Sequence, residues 1–412
     1  MLRSMPVRRF KRGFKLGLIK LLIGNKATGV HLSYVGQGAS ADLCRRIVDI
    51  GHTDILVVTD KALKELGLAE RALASLADAG VNLHWYAGVD PDPTFAHVME
   101  GAEVLRAAGC TAIVAVGGGS SMDAAKIIAC TRTSDESPEK WVGLNKVPDD
   151  VLPIYAIPTT SGTGSEATMG AVIKDPEEKL KHIIVGEDLL PQAVALDPDF
   201  LLGLPAPVTA ATGIDALTHA LEAYVSKKAN AFSDTQAVAA MKLLAPNLRQ
   251  VFNNRQDREA REAMMLGSTL AGVAFSNASV ALVHGMSRPI GAFYHVPHGL
   301  SNAMLLPAVT EYSIPAAEHR YANAARAMGI ARASDSDAMA SATSTASCSA
   351  ARRAATAWGC SRPTRRGATS PWATSSRARA CPSSSSTRSR TSPCSSPTTR
   401  RCSTATRTGP LI

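Results

Sequence analysis

The strongest chemical pattern in the sequence is one carboxylate and a set of regularly spaced histidines. Asp215 and His219 are four residues apart in "GIDALTHALEAY", which places both on one face of a helix, one turn apart. The segment "VHGMSRPIGAFYHVPHG" then supplies His284, His295 and His298. A single histidine is more often a core residue than a ligand, but a carboxylate and several imidazoles that converge from helices could bind a divalent metal of borderline softness.

A glycine-rich segment, "AVGGGSSMDAAK", follows an apolar run that predicts a buried strand. Gly117, Gly118 and Gly119 could let backbone N–H groups approach an anion. Ser120 adds a hydroxyl at a helix N-terminus, where negative charge is favoured. The spacing matches neither GxGxxG nor the P-loop pattern. The segment therefore predicts either an anion-binding loop or an ordinary tight turn.

A second polar segment, "PTTSGTGSE" at residues 158–166, also follows a predicted strand. Its hydroxyl groups suit phosphate, ribose or an amide, although a Ser/Thr-rich surface loop has the same composition. In open α/β sheets, ligands bind at the carboxyl ends of parallel strands, where both segments are expected. Asp60 ends the strand "VVTD" and could accept a hydrogen bond from a ribose 2′-OH, which favours NAD over NADP, or could simply cap the helix that begins at Lys61.

The elements that must position these residues follow an α/β pattern from about residue 30. Apolar runs such as "DILVVTD", "TAIVAVGGGS" and "LPIYAIPTT" alternate with helical segments, which predicts a mainly parallel sheet covered on both faces. From residue 205 the strand pattern stops and Ala/Leu/Met-rich helices follow. We expect a basic N-terminal extension at 1–29, an α/β domain at 30–204, an all-α domain at 205–337 and a low-complexity tail at 338–412.

The formal charge of +9 is distributed unevenly along the chain. Residues 1–41 carry +8 and residues 338–412 carry +12, whereas the residues between them carry −11. A basic-tailed nucleic-acid binder is therefore a weak alternative, because the body is acidic and lacks aromatic residues interleaved with basic ones. We expect no nucleic-acid partner.

The N-terminal segment "RRFKRGFKLGLIKLLIG" is similar to a signal peptide, but Lys20 interrupts its apolar stretch and no small-residue cleavage site follows. A helix packed on the body and a weak membrane-surface anchor both remain open. No run of 18 apolar residues occurs, so no transmembrane segment is expected. Cys44, Cys110 and Cys130 form no CxxC or CxxH pattern, which predicts free thiols in a reducing compartment and a cytoplasmic protein.

The tail has a restricted alphabet. Residues 340–410 contain only Ala, Arg, Ser, Thr, Pro, Cys, Gly and Trp, all of which have codons with C or G at the second base. A one-base slip in a GC-rich gene would produce this alphabet, and we hypothesise a frameshift near residue 340. The alternatives are a genuine disordered tail or an Arg-rich nucleic-acid-binding arm. A continuous frame in independent reads of the gene would contradict the frameshift.

In this order, the segments "GGGSSMDAAK", "IPTTSGTGSEAT", "TGIDALTHALEAYVS" and "HGMSRPIGAFYHVPHG" resemble the iron-containing (group III) alcohol dehydrogenase family. The likeness extends from about residue 30 to about residue 335. It implies a dinucleotide-binding, dehydroquinate synthase-like α/β domain, an all-α domain, and a catalytic metal in the cleft between them. The implied cofactors are NAD, with NADP less favoured, and Fe²⁺, with Zn²⁺ as the alternative.

The family's site residues correspond to positions of this chain as follows. The metal ligands correspond to one aspartate and three histidines: Asp215, His219, His284 and His298. The pyrophosphate contacts correspond to the glycine loop and the start of its helix: Gly117, Gly118, Gly119, Ser120 and Asp123. The nucleotide and nicotinamide contacts correspond to Thr159, Thr160 and Thr163, the adenosine-ribose acid to Asp60, and a lysine near the cofactor to Lys181.

The chain departs from the family pattern at two places. Many members have a second histidine four residues after the first "HG" histidine, and here that position is Arg288. Arginine is not a usable base, which leaves His295 as a candidate substitute. Family members also complete the helical domain with further amphipathic helices, which we expect residues 340–410 to be unable to form.

The resemblance implies reversible oxidation of a small alcohol to an aldehyde or ketone, with hydride transfer to a nicotinamide and the metal as a Lewis acid. A glycerol dehydrogenase-like, maleylacetate reductase-like or dehydroquinate-forming reaction on the same scaffold is a related alternative. An inactive product with an incomplete domain is another. A homodimer or higher homo-oligomer is expected from the family.

Overall fold

The computed structural model describes residues 32–132, 134 and 136–344. The predicted N-terminal extension at 1–29 and the tail from residue 345 onward lie outside the described residues.

The first half of the described chain alternates strands with helices. Nine strands occur in the described part: β1 (Leu32–Val35), β2 (Asp54–Val58), β3 (Asn82–Tyr86), β4 (Ala112–Gly117), β5 (Gly143–Leu144), β6 (Ile154–Pro158), β7 (Gly170–Asp175), β8 (Leu180–Val185) and β9 (Ala193–Leu196). Six helices lie between them: α1 (Ala39–Ile50), α2 (Lys61–Glu65), α3 (Leu68–Ala72), α4 (Ala74–Asp78), α5 (Phe95–Ala108) and α6 (Gly119–Cys130). Short 3₁₀ helices lie at Pro138–Trp141, Ser165–Ala167, Glu187–Leu189 and Pro198–Phe200.

The main sheet has six strands in the order β1-β9-β6-β4-β2-β3, and every neighbouring pair is parallel. All residues of β4 and β6 are buried, as expected for central strands covered by helices on both faces. This arrangement confirms the predicted parallel α/β fold. It also places the ends of β4 and β6 side by side, since Gly117 pairs with Pro158.

Two local features differ from the expectation. The stretch 61–80 is helical in its sequence pattern, but it forms the three short helices α2, α3 and α4, and Gly67 adopts a left-handed φ of 66° between the first two. A second sheet, in the order β5-β8-β7, contains an antiparallel β7–β8 pair. That hairpin carries Lys181.

The second half of the described chain is helical, as predicted. It contains α7 (Ala206–Val225), α8 (Ala231–Asn253), α9 (Arg258–Ala278), α10 (Leu282–Tyr294) and α11 (His298–Ala327), the last kinked at Ala317. Residues 337–344 are also helical, with Ala340, Ser341 and Ser344 buried. The expectation that residues from 340 onward form no helix is therefore wrong for residues 340–344, which pack on the helical domain because their small side chains fit against it.

Among the described helices, none is by itself long and apolar enough to cross a membrane. One pair, α9 and α10, meets the length and composition criteria only when taken together, and it is bent by 104°.

Candidate active site

Three helices bring the predicted metal ligands together. Asp215 and His219 lie one turn apart on α7, His284 lies in the first turn of α10, and His298 is the first residue of α11. The first three side chains are buried and that of His298 is half-buried. The helical spacing that suggested the first pair therefore points both residues toward α10 and α11.

The distances between the ligand atoms suit one metal ion. Asp215 Oδ1 lies 3.6 Å from His284 Nε2 and 3.7 Å from His298 Nε2. The ligand atoms of these three residues all lie within 4.8 Å of one another. Two ligand atoms bound tetrahedrally at about 2.1 Å from an ion lie roughly 3.4 Å apart, so little movement would be needed to close the three around a metal.

His219 lies beside this group but is not part of the 4.8 Å set. Its ring stacks on that of His284, with centroids 4.4 Å apart, and on that of Phe275 at 4.5 Å. Its Nδ1 donates a hydrogen bond to the Gly162 carbonyl at 3.2 Å and lies 4.0 Å from Asp215 Oδ2. Because a carbonyl can only accept, Nδ1 carries the proton, and Nε2 of the neutral ring keeps a lone pair for a metal.

The protonation preferences of the four residues suit a cation. Burial raises the pKa of Asp215, but His219, His298 and His284 outweigh it and hold the pKa below the usual range. Burial lowers the pKa of His219 to about 4 and also lowers that of His298. Burial has the same effect on His284, but hydrogen bonds to Asp215 and Glu222 outweigh it and raise the pKa to about 8. The site thus offers one carboxylate and two neutral imidazoles, and a metal would displace the proton of the third.

Glu222 is a site residue that the sequence analysis missed. It is buried on α7, and its carboxylate accepts a hydrogen bond from His284 Nδ1 at 2.6 Å. It also accepts from the backbone N–H groups of Ala281 at 3.0 Å and Val283 at 2.5 Å. A carboxylate behind a metal-binding histidine fixes its tautomer and turns Nε2 toward the ligand site. The available signal was its spacing, since residues 215, 219 and 222 share one helical face.

Asn302 is the second site residue that was missed. It lies one turn after His298 on α11, and its Nδ2 donates to Asp215 Oδ1 at 2.7 Å. The same nitrogen lies 3.2 Å from His284 Nε2 and 3.3 Å from His298 Nε2, while its buried Oδ1 has no partner within the described part of the chain. The Asn302 NH₂ group thus lies among Asp215 Oδ1, His284 Nε2 and His298 Nε2, which all present a lone pair to one point once His284 Nε2 is deprotonated, and a metal ion requires the same arrangement. The donor set therefore fits the implied metal.

His295 lies apart from this cluster. It ends α10 with a left-handed φ of 54°, is exposed, and has its Nδ1 3.3 Å from Lys174 Nζ. No contact with the metal ligands is seen for His295 among the described residues. Its role as a substitute base stays a prediction.

The two predicted nucleotide loops touch each other at the ends of β4 and β6. The Thr159 N–H donates to the Gly117 carbonyl at 2.9 Å. A Cβ added at Gly119 would lie 2.6 Å from Thr163 Cγ2, and one at Gly118 would lie 3.4 Å from Thr160 Oγ1. Only glycine allows so close an approach of the two loops. The glycine segment thus lies against the threonine segment, and the contacts of both with a nucleotide stay predictions.

The metal site and the second loop are joined directly. The Gly162 carbonyl, which accepts the hydrogen bond from His219, lies in the threonine loop. A Cβ at Gly162 would lie 2.7 Å from Thr212 Cβ, so the loop packs tightly on α7. A nucleotide held by this loop would therefore lie next to the metal ligands.

The remaining predicted cofactor residues have clear local partners. Asp60 caps α2, since its side chain accepts from the Leu63 N–H at 2.9 Å. Lys181 Nζ lies 2.6 Å from Asp92 Oδ1. Ser120 Oγ accepts from the Asp92 N–H at 3.3 Å. The cap does not exclude a contact between Asp60 and a ribose, and that contact stays a prediction.

A buried lysine, also missed by the sequence analysis, holds the two loops in place. Lys126 on α6 is fully buried, and its Nζ lies within 2.7–3.0 Å of oxygens of Ser165, Thr168 and Gly170. Asp123, predicted to contact the cofactor, accepts from Ser165 Oγ at 2.6 Å and from the Val172 N–H at 2.9 Å. Burial lowers the pKa of Lys126 to about 8 against the opposing effect of Asp123.

We expect Lys126→Met to destabilise the protein by about 3–5 kcal/mol, because it removes the cation from a buried network and leaves acceptors and a carboxylate unpaired. Denaturant unfolding measures this change. Lys61→Met is the matched control, since Lys61 is 82% exposed in its pair with Glu65, and its change should stay within about 0.5 kcal/mol. Equal stabilities of the two variants would contradict the structural role of Lys126.

A second group of potential ligands lies on the β7–β8 hairpin. Asp175, Glu178 and His182 place ligand atoms within 4.8 Å of one another. The Glu178 side chain is 60% exposed and lies 3.5 Å from His182 Nε2, which is an ordinary surface ion pair. Substitutions in this hairpin group therefore serve as controls for substitutions in the buried group of Asp215, His284 and His298.

Comparisons with known proteins agree with this geometry. Residues 32–198 match the model of iron-containing alcohol dehydrogenase, and residues 209–353 match that of the C-terminal part of the Fe-containing alcohol dehydrogenase family. The chain is 40% identical to a 1,3-propanediol dehydrogenase of Citrobacter freundii over 73% of this chain and 78% of that protein. It is 39% identical to an NAD-dependent methanol dehydrogenase of Bacillus methanolicus over 72% and 78%. An alcohol dehydrogenase structure from Oenococcus oeni matches with a TM-score of 0.78 at 33% identity, covering 81% of this chain and 87% of that one. The chain belongs to the iron-containing alcohol dehydrogenase family.

Proposed function

We propose that the protein is a metal-dependent, NAD-linked alcohol dehydrogenase that interconverts a small alcohol and its aldehyde or ketone. The observation that carries the proposal is the buried meeting of Asp215, His284 and His298 beside the loop that receives the His219 hydrogen bond. This juxtaposition supports a cation site next to a loop suited to a nucleotide.

The residues that would hold the metal are Asp215, His219, His284 and His298. A divalent ion in this set supplies Lewis-acid stabilisation of the substrate oxygen, and Fe²⁺ is favoured by the family, with Zn²⁺ as the alternative. Glu222 and the Gly162 carbonyl orient two of the imidazoles. In the oxidation, the carbon-bound hydrogen leaves with its electron pair to the nicotinamide, and the hydroxyl proton passes to solvent.

The nucleotide would lie along the touching loops. Gly117, Gly118, Gly119 and Ser120 suit the pyrophosphate, because small residues and a helix N-terminus expose backbone N–H groups. Thr159, Thr160 and Thr163 would contact the nucleotide and the nicotinamide, with Asp123 and Lys181 close by. Asp60 at the end of β2 favours NAD over NADP, since its carboxylate would repel a 2′-phosphate.

The alcohol dehydrogenase reaction is preferred over the related alternatives. The buried acid and histidines argue against a metal-free reductase. The names of the propanediol and methanol dehydrogenase relatives support a small alcohol as substrate. The free, buried thiols of Cys44, Cys110 and Cys130 suit a reducing, cytoplasmic setting. A homo-oligomer is proposed from the family alone.

The test uses the full chain, loaded with Fe²⁺ or Zn²⁺ under anaerobic conditions. We expect about one tightly bound ion per chain by elemental analysis, and NAD reduction with alcohols of two to four carbons. NADP should support a slower reaction than NAD. A folded protein that binds the metal but reduces neither nucleotide would contradict the proposed activity, whereas a protein that does not unfold cooperatively would support the inactive alternative.

A further inference from the structure

One face of α10 connects the metal site to the β7–β8 hairpin. His284, Arg288 and Gly291 are spaced by four and three residues, which aligns them along one side of the helix, and His295 follows as its C-terminal cap. His284 contacts Asp215 at one end, and His295 contacts Lys174 at the other. Between them, a Cβ at Gly291 would lie 3.5 Å from Lys181 Nζ. Arg288 therefore lies on α10 between His284 and Gly291, the position that faces Lys181.

Arg288 is half-buried and has no hydrogen bond or ion pair with any residue that the structure describes. Glu222 is the charged group that acts on it electrostatically. The Glu222 oxygens are already engaged by His284 Nδ1 and by the N–H groups of Ala281 and Val283. A half-buried guanidinium with five N–H donors and no acceptor is unfavourable unless a ligand supplies one.

The surroundings of Arg288 are cationic. Lys181 and Lys174 lie along the same face of α10, and Asp92 is an acid that pairs with Lys181 at 2.6 Å. Among the described residues the guanidinium has no ion-pair partner, and Glu222, which acts on it electrostatically, has its oxygens engaged elsewhere. The planar guanidinium group can donate two parallel hydrogen bonds to the oxygens of a carboxylate or a sulfonate.

We propose that Arg288 binds an anionic group of the substrate, so that this enzyme acts on short alcohols or aldehydes that also carry a carboxylate or sulfonate. The inference rests on the proposed dehydrogenase function. In the oxidation of such a hydroxy acid, hydride passes to the nicotinamide and the hydroxyl proton to solvent, while the anionic group is unchanged. The anion contributes binding and orientation, and the hydroxyl oxygen of the substrate would face the residues that would hold the metal.

The test compares kcat/KM within matched pairs of substrates. The pairs are propan-1-ol with 3-hydroxypropanoate, butan-1-ol with 4-hydroxybutanoate, and ethanol with 2-hydroxyethanesulfonate. We expect the wild-type enzyme to prefer the anionic member of at least one pair. Arg288→Met should lower the anionic-to-neutral ratio by about 10–100-fold, in line with hydrogen bonds to a charged group. Because the ratio is internal to one preparation, partial unfolding cancels.

Two further variants sharpen the result. Arg288→Lys keeps the positive charge but loses the planar guanidinium that can donate two parallel hydrogen bonds. Its anionic-to-neutral ratio of kcat/KM should therefore lie between the ratios of the wild type and Arg288→Met. Arg249→Met removes an exposed arginine of α8 and should leave the ratio at the wild-type value. A wild-type preference for the neutral members, or an unchanged ratio in Arg288→Met, would overturn the proposal.

A binding measurement separates this inference from the proposed function. Calorimetry with propanoate on the metal-loaded protein should show binding that Arg288→Met weakens at least tenfold. If the protein oxidises none of the six substrates, the proposed function fails, and this titration still decides the role of Arg288. Absence of propanoate binding to the wild-type protein would overturn the anion site whether or not the protein is active.

Discussion

Asp215→Asn is expected to remove both metal retention and dehydrogenase activity. The change preserves the shape of the side chain but replaces an ionised, buried carboxylate by a neutral amide among three imidazoles. The loss of metal affinity should exceed the roughly 10–100-fold typical of losing an outer-shell partner. Elemental analysis after gel filtration and the rate of NAD reduction measure the two effects.

The control for this prediction is His182→Ala, which disrupts the group of Asp175, Glu178 and His182 on the β7–β8 hairpin, where Glu178 is exposed and the other two are half-buried. We expect it to keep the metal and the activity. Circular dichroism and thermal unfolding of both metal-free variants separate ligand loss from unfolding. Retention of a full equivalent of metal by Asp215→Asn, together with its loss in His182→Ala, would place the ion on the surface and refute the assignment.

Glu222→Gln is expected to weaken metal binding by about 10–100-fold, although Glu222 is not itself a predicted ligand. The carboxylate accepts from His284 Nδ1 and from two backbone N–H groups, and a glutamine must turn an NH₂ group toward one of these donors. One buried donor is then left without an acceptor, which costs about 1–3 kcal/mol of folding free energy. Competition with a chromophoric chelator measures the affinity, and denaturant unfolding measures the stability.

Glu178→Gln provides the isosteric control for Glu222→Gln. It also lies beside an imidazole, that of His182, but its side chain is 60% exposed. We expect its metal affinity to equal that of the wild type and its stability to change by less than about 0.5 kcal/mol. If both variants behaved alike, Glu222 would have no special role in orienting His284.

Much of the candidate site could be predicted because its signals are local. The four-residue spacing of Asp215 and His219 defines one helix face wherever that helix lies. The glycine and threonine segments follow buried strands, and parallel strands bring their carboxyl ends to one edge of a sheet. The same local reasoning indicates helix at residues 61–80 but does not show its division into short helices, which include a break at the left-handed turn of Gly67.

Other parts of the site depend on contacts that no local pattern shows. The carboxylate of Glu222 is buried where the His284 ring reaches it, although the two residues are 62 positions apart. Asn302 bonds Asp215 across 87 positions. Nothing in the sequence distinguishes Lys126 from a solvent-exposed lysine. In the structure it is buried beneath the loop whose Ser165 and Gly170 carbonyls accept its hydrogen bonds. Helical spacing could have suggested that Glu222 and Asn302 lie near metal ligands. It could not have shown that Glu222 accepts a hydrogen bond from His284 or that Asn302 donates one to Asp215.

The sequence by itself therefore determined the family, the parallel sheet followed by helices, and the residue types available to a metal and a nucleotide. These follow from periodicity, strand-end positions and motif order, which are properties of short stretches of chain. Only the tertiary structure decided that Gly162 accepts a hydrogen bond from His219 and that Arg288 is half-buried without a hydrogen bond or ion pair among the described residues. The physical reason is that burial and hydrogen-bond satisfaction depend on which distant segments pack together, and packing is a property of the whole fold.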